Sequence, residues 1–407
     1  METEQREAAG GRYLEIAQAF LKLGATAYGG PAIMGIMQAE LQEKRQWVSK
    51  QRFIEGLSLV NMLPGAAATQ LGIFLGYSRG GWLGGLLAGL CFVLPAFVIM
   101  LVLTLTYAAF GATPLMKGAL YGLGPVVMGI FLVAIYRLGR NAIASVPQVA
   151  IGTAALLAAA FTPLGIVPIL AAAGGAGLVL FYSRKAGAIA LCVLTALFAL
   201  FQFVPWPGLA MLSPVPASAG AAGAPGLLEL GAFFLTVGAF SFGGGLTLIA
   251  FIQDQVVNHY QWLTHREFID GLALGQFTPG PILMVSAYVG YKLAGVVGAA
   301  VAAGAIFLPA FVLMLSLLPA FERARKLQWT KAAMKGIGPA VIGVLAVSLA
   351  QMAPHAVPDP LAAVLLAGTI AALLASKTGP LKLMALGAAV GLLRERLQSV
   401  PGARAVL

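Results

Sequence analysis

A chain of 407 residues that is 60% hydrophobic and only 10% charged carries well under half the roughly 25% charge of ordinary soluble domains, which excludes a water-soluble enzyme and makes this an integral membrane protein. The net charge of +11 does not indicate nucleic acid, because the basic residues are scattered through short loops between apolar runs and read as topology signals. Cys91 and Cys192 lie inside apolar runs as small hydrophobic filler, and His259, His265 and His355 have no second ligand at helical spacing, so no redox framework, metal or other cofactor is expected.

In chain order, the opening METEQREAAGGRYLE has no short apolar core with a cleavage site, so no removable signal peptide is expected. Two interrupted apolar segments follow, at about 12–45 and 50–78, broken at Gly29-Gly30-Pro31 and at Pro64-Gly65. Continuous apolar runs come next near 81–110, 115–138, 147–162 and 164–183, measured against the roughly 20 residues that cross a bilayer. A further run occupies 186–204, and PWPGLAMLSPVPASAGAAGAPG (205–226) is a Pro/Gly/Ala linker.

The series then begins again. FLKLGATAYGGP (20–31) returns as FLTVGAFSFGGG (234–245), a shift of 214 positions. FIEGL (53–57) returns as FIDGL (268–272), LPAF (94–97) at 308–311, and GLGPVVMG (122–129) as GIGPAVIG (336–343). So many ordered matches mark a tandem duplication: repeats at 1–185 and 227–407, joined by the unmatched run and the linker. One extra span between the copies flips the second relative to the first. The expected fold is therefore an all-α polytopic membrane protein, an inverted tandem repeat with re-entrant, broken helix hairpins in each half.

Charge placement favours re-entry over crossing. If the interrupted segments crossed, Lys44, Arg45, Lys50 and Arg52 would face away from Arg6, Arg12 and Arg79; if each enters and leaves on one face, all are cytoplasmic, as is the N-terminus. Arg137, Arg140, Arg184, Lys185 and the second copy's Arg323, Arg325, Lys326, Lys331, Lys335, Lys377 and Lys382 join them. Broken helices are tolerated at membrane depth only against protein or a wet cavity, and each new half-helix points free N–H groups and a partial positive charge toward mid-membrane. Breaks at Gly29-Gly30-Pro31, Pro64-Gly65, Gly243-Gly244-Gly245 and Pro279-Gly280-Pro281 would bring four such ends toward one spot, an arrangement suited to an anion. The neutral donors Asn61, Thr69 and Gln70 flank one Pro-Gly turn, and Gln276, Thr278 and Ser286 flank the other; helix-packing hydrogen bonds are the alternative role for each. Lys22 would lie at membrane depth or snorkel to the interface, and the duplicated acids Glu55 and Asp270 either carry a coupling proton or complement a helix start.

The paired glycine turns AYGGP and SFGGG, the tryptophans of QWV (Trp47) and QWL (Trp262), FIDGLALGQFTPGP and the repeated LPAF together resemble the chromate ion transporter family in its long-chain form of two fused halves, over nearly the whole chain. That resemblance implies export of chromate, a tetrahedral dianion similar to sulfate, across the bacterial inner membrane, giving chromate resistance. Carried over by position, its motif residues are Gly29, Gly30, Pro31, Pro64, Gly65, Gly243, Gly244, Pro279, Gly280 and Pro281; the first copy departs from the pattern at Ala66, where a second proline is usual. A sulfate or other small-anion channel or importer would use the same helix ends, whereas an intramembrane enzyme would need a nucleophile and base at depth, and no phosphate-cradling G-x-x-x-x-G-K-[ST] loop occurs. The expected partners are the oxyanion and the lipid bilayer. Small-residue spacings such as Gly81, Gly85 and Gly89 suit packing within one subunit or across a homodimer.

Overall fold

The computed structural model of the chain describes residues 2–27, 32–60, 63, 65–111, 113–162, 166–185, 187–189, 191–192, 225–239, 249, 251–318, 328–375 and 378–399. Most of the expected run at 186–204 and nearly all of the linker lie outside them. The protein is an all-α polytopic membrane protein: among the described residues every regular element is a helix. In the first half these are α1 (Glu2–Thr26), α2 (Ala32–Met37, continuing as a π-helical turn Gln38–Lys44), α3 (Lys50–Val60), α4 (Ala67–Phe110), α5 (Pro114–Ala142), α6 (Val146–Phe161) and α7 (Ile166–Phe181). The second half has α8 (Leu227–Ala239), a π-helical turn Asp254–His259, α9 (His265–Phe277), α10 (Val285–Leu317), α11 (Gln328–Ala356), α12 (Pro360–Ala375) and α13 (Pro380–Ser399). Four stretches among the described residues are long and apolar enough to cross a membrane: Ala67–Phe110, Pro114–Arg140, Ile282–Leu317 and Lys335–Ala356.

The segments broken near residue 30, at Gly65 and at Gly280 fold back on themselves. A Cβ on Gly56 would strike the Phe74 ring at 2.4 Å, so α3 and the first arm of α4 lie side by side about the Gly65 break rather than end to end. The counterpart contact, Gly271 against the Tyr288 ring, also falls at 2.4 Å. The earlier segment turns the same way, since the Trp47 indole N–H donates to Glu15 at 2.9 Å across the break near residue 30. α4 itself reverses at Gly80-Gly81, where Gly81 takes φ +65°, and α10 reverses at Ala294-Gly295, with Gly295 at φ +61°. Beyond that reversal, α4 leaves Leu90, Leu94, Val98 and Val102 exposed at four-residue spacing, an apolar stripe along one face.

The tryptophan motif has a backbone cause. Gln46 and Gln261 adopt φ +51° and +53°, and the next residue's N–H reaches back six residues, Trp47 to Leu41 O at 2.9 Å and Trp262 to Val256 O at 2.8 Å. This is Schellman-type termination with glutamine where glycine is usual. The turn leaves Trp47 between Arg45 and Arg79, each guanidinium 5.8 Å from its ring, while Trp262 stacks on Tyr260 at 4.7 Å.

The two halves interlock. α5 of the first half packs on α12 and α13 of the second, and α11 of the second packs on α6 and α7 of the first. Glycines permit the approach: a Cβ on Gly122 would lie 1.8 Å from Gly387 O, and one on Gly336 would lie 2.0 Å from Ala173 O. At one end of α5 the Tyr121 hydroxyl donates to Asp359, the residue before α12. Arg394 of α13 pairs with that carboxylate at 3.0 Å and lies over the Tyr121 ring at 4.0 Å. Burial alone would raise the Asp359 carboxyl, but the Tyr121 and Ala362 hydrogen bonds and the Arg394 charge hold it below its ordinary range.

Candidate functional site

The break of the second half meets the break of the first. The amide of Gly280 donates to Ala27 O at 2.7 Å, linking the Pro279-Gly280-Pro281 turn to the end of α1. Gly280 holds φ +90°, and a Cβ there would lie 2.9 Å from the Ala96 Cβ and 3.4 Å from Gly24 O. Its counterpart Gly65 holds φ +129°, and a Cβ there would lie 3.4 Å from the Ala310 Cβ. Ala96 and Ala310 are the alanines of the two LPAF repeats. Each LPAF helix is thus the socket into which the other half's Pro-Gly turn inserts, with a proline that removes a helix donor beside a side chain small enough to admit backbone. The repeat of LPAF was legible in the sequence, whereas its role as a socket was not.

The half-helices that leave these breaks begin without side-chain caps. Ala66 before α4 makes no capping hydrogen bond, and neither does Pro281 before the 3₁₀ turn Ile282–Met284 nor Met284 before α10. Two other helices are capped, Thr264 and Glu267 forming a reciprocal capping box on α9 and Thr113 accepting from Met116 on α5, whereas Ser145 before α6 makes no capping hydrogen bond. Two hydroxyls sit in the uncapped turns. Thr69 and Ser286 are both fully buried, and Thr69 Oγ1 and Ser286 Oγ have no hydrogen-bond partner among the described residues. An unsatisfied buried hydroxyl costs about 1–3 kcal/mol, which a bound water or a ligand would relieve, and Ser78 Oγ and Gln253 Oε1 are unpartnered in the same way.

Of the other residues expected from the sequence, Gln70 is buried with its side-chain nitrogen against Gly65, and Thr278 is buried, donating to Leu274 O at 3.0 Å with Met100 Sδ at 3.3 Å. Gln276 is half-buried, and Pro279 and Pro281 are buried. Lys22 is exposed on α1, and its charge acts on Glu40. Glu55 is half-buried and pairs with Arg52 at 3.3 Å. Gly29, Gly30, Pro31, Asn61, Pro64, Gly243 and Gly244 lie outside the described residues.

Asp270 differs from Glu55. It is buried on α9, accepts from the Tyr107 hydroxyl of α4 at 3.0 Å and faces Arg266 Nε at 3.4 Å, while Tyr107 packs edge-on to Tyr288 of α10 at 5.7 Å. Sequence reasoning paired Asp270 with Glu55 but missed both tyrosines. One signal was available, since Tyr288 stands where the first copy has Phe74.

At the start of α9 the His265 ring stacks on His355 at the end of α11, centroids 4.3 Å apart and planes 5° from parallel. Burial and then the neighbouring His355 lower the His265 pKa. The folded protein therefore binds this proton less readily than the unfolded chain. The stabilising contribution is fully present above the ordinary histidine range and is lost as pH falls through the lowered value. The melting temperature in detergent is expected to fall between about pH 7 and about pH 5, with a shallower decline for His355→Asn; identical slopes would contradict this assignment.

Comparison with known proteins follows the same two halves. The chromate transporter sequence pattern matches the chain twice, over residues 14–180 and 228–392. The chromate transport protein of Cupriavidus metallidurans is 33% identical over 380 residues, covering 92% of this chain and 91% of that protein. A probable chromate transport protein of Synechococcus elongatus is 33% identical over 354 residues, 84% and 86% of the two chains, and the chromate transport protein of Pseudomonas aeruginosa is 30% identical over 355 residues, 85% and 83%. No solved structure matches the chain.

Proposed function

The chain belongs to the chromate transporter family, and we propose that it exports chromate across the bacterial inner membrane through an anion site at the meeting hairpin tips. The observation that carries the reading is the pair of uncapped half-helix starts, each holding a fully buried hydroxyl without a partner. A tetrahedral dianion supplies what those turns lack: acceptors for the first-turn amides, for Thr69 and for Ser286, and negative charge at the positive ends of helix dipoles. Chromate needs no proton donor or nucleophile to be held there, and we assign transport rather than catalysis to the site.

The hairpins enter and leave on the cytoplasmic face in the first half, where Lys44, Arg45, Lys50, Arg52 and Arg79 gather, and the second half has the opposite orientation. Lipid covers the apolar stripe of Leu90, Leu94, Val98 and Val102. Driving force comes from the membrane potential: a charge crossing 100 mV exchanges about 2.3 kcal/mol, so a dianion leaving an inside-negative cell gains about twice that. The Gly280–Ala27 hydrogen bond must open for the anion to pass between the tips, which makes alternating exposure of the site a relative motion of the two halves.

Proteoliposomes loaded with chromate test the reading directly. Imposing a potential negative inside the vesicle is expected to speed efflux, and reversing it to slow efflux; external sulfate serves as competitor and chloride as control. Flux that ignores both the anion and the potential would end the proposal.

A further inference from the structure

We infer that Asp270 is a proton-linked affinity switch for the anion, present in one half of the protein and absent from the other; the inference rests on the anion-site reading above. The duplication did not preserve this position. In the first half, Glu55 is half-buried and ion-paired with Arg52, whose guanidinium also lies 5.1 Å over the Phe74 ring. In the second half, the same hairpin position holds the shorter Asp270, buried, and the facing aromatic is Tyr288 instead of Phe74. Gly271 admits the Tyr288 ring flat against α9, and α4 delivers Tyr107 from the opposite copy, its hydroxyl 3.0 Å from the carboxylate. A carboxyl built only to stabilise a helix start has no need of this burial or of two tyrosines.

The groups that face it are few. From its own helix come Arg266, at 3.4 Å, and Glu267, which is held by Lys292 of α10 at 2.7 Å. α4 presents Tyr107 and α10 presents Tyr288 and Lys292. α11 brings His355 to His265, one turn nearer the helix start. α5 meets α9 at Gly124 against Ile269, with its Tyr121 turned away to Asp359, and the 3₁₀ turn Ile282–Met284 holds only apolar side chains. Arg266, more than a third exposed, pairs directly with the carboxylate, and Lys292 adds a second, more distant positive charge.

Asp270 also lies two helical turns, roughly 12 Å, before Thr278 and the Pro-Gly-Pro tip on the same α9. At that range in a low-dielectric interior, a carboxylate repels a dianion arriving at the tip, and a neutral carboxylic acid does not. Anion binding therefore favours Asp270 with its proton, and by linkage the proton favours the anion. The step is a simple association: the carboxylate takes one proton from the side on which the anion loads and returns it on the side where the anion leaves. The loaded protein then carries one net negative charge of cargo instead of two, so the inside-negative potential still drives it outward. Tyr107 donates to the carboxylate when it is charged and accepts from it when it is neutral, so this one contact survives both states, while Asp270 Oδ1 and the Tyr288 hydroxyl have no hydrogen-bond partner among the described residues.

Chromate binding to the detergent-solubilised full chain, titrated calorimetrically across pH and in buffers of different ionisation heat, tests the inference. Wild type is expected to take up a proton with each anion and to lose roughly tenfold in affinity per pH unit above the midpoint. Asp270→Asn should bind with a nearly flat pH profile and no proton uptake, keep a reduced potential-driven flux, and ignore a pH gradient. Glu55→Gln should retain the wild-type pH dependence. Tyr107→Phe keeps the carboxyl but removes its hydrogen bond, so its binding midpoint should move to higher pH even if Asp270→Asn does not accumulate. An Asp270→Asn profile that titrates like wild type, or an unmoved Tyr107→Phe midpoint, overturns the switch. Wild-type protein that binds no chromate at any pH overturns the anion-site reading instead.

Discussion

Thr69→Val should make the protein more stable and less able to transport. Thr69 is fully buried and its hydroxyl has no partner among the described residues, so replacing it with an isosteric methyl removes an unsatisfied polar group worth about 1–3 kcal/mol. The melting temperature in detergent without anion should rise by a few degrees. If that hydroxyl donates to chromate, the same change removes a hydrogen bond to a charged acceptor worth about 1.5–3 kcal/mol, or roughly 10- to 100-fold in affinity. Ser286→Ala carries the same two-sided expectation at the other half-helix start. Thermal unfolding with and without chromate, measured beside vesicle flux, reads both effects. A variant that gains stability and transports normally would show that the hydroxyl does not touch the anion. One that loses stability would show that the hydroxyl had a structural partner.

Gly280→Ala should abolish transport without changing any polar side chain. Its φ of +90° lies where an L side chain costs about 1–2 kcal/mol, and the new Cβ would stand 2.9 Å from the Ala96 Cβ, an overpacking that typically costs a further 1–3 kcal/mol. The amide of Gly280 would also be displaced from Ala27 O. The cost divides into a part that belongs to Gly280 and a part shared with its socket, so Ala96→Gly should restore the packing share and leave the φ strain. The cycle of the two single variants and the double variant, scored by melting temperature and flux, separates them. Gly65→Ala differs, because its Cβ would crowd Gln70 Nε2 at 2.5 Å and meet the Ala310 Cβ only at 3.4 Å, an ordinary contact, so additivity in the Gly280–Ala96 cycle is the result that would deny insertion of that tip into the LPAF helix.

Local chemistry made much of this architecture legible. Pro64-Gly65 and Pro279-Gly280-Pro281 announce breaks because proline removes donors, and the apolar runs at 81–110, 115–138, 147–162 and 164–183 correspond closely to α4 beyond its reversal, α5, α6 and α7. The π-helical turns at Gln38–Lys44 and Asp254–His259 were not legible, since neither contains a proline or glycine to mark a change of helix type. Nor was the site's wiring. Tyr107 and Asp270 are 163 positions apart in the sequence, and periodicity says which face of a helix is buried but not what covers it. The sharp reversals at Gly81 and Gly295 are short enough that the sequence reads as an ordinary loop and helix start, although φ values of +65° and +61° show why glycine occupies both.

The interlocking of the halves reaches into biosynthesis. α5 leaves the ribosome well before α12 and α13 exist, and α6 and α7 wait in the bilayer for α11, so the earliest-made spans pass through a stage with their glycine-lined faces uncovered. The last of the described helices closes against one of the first long ones. A stop codon ahead of Pro380 would therefore strip the Gly118–Gly122 face of α5, and its damage would appear in the part of the protein already translated rather than at the severed end.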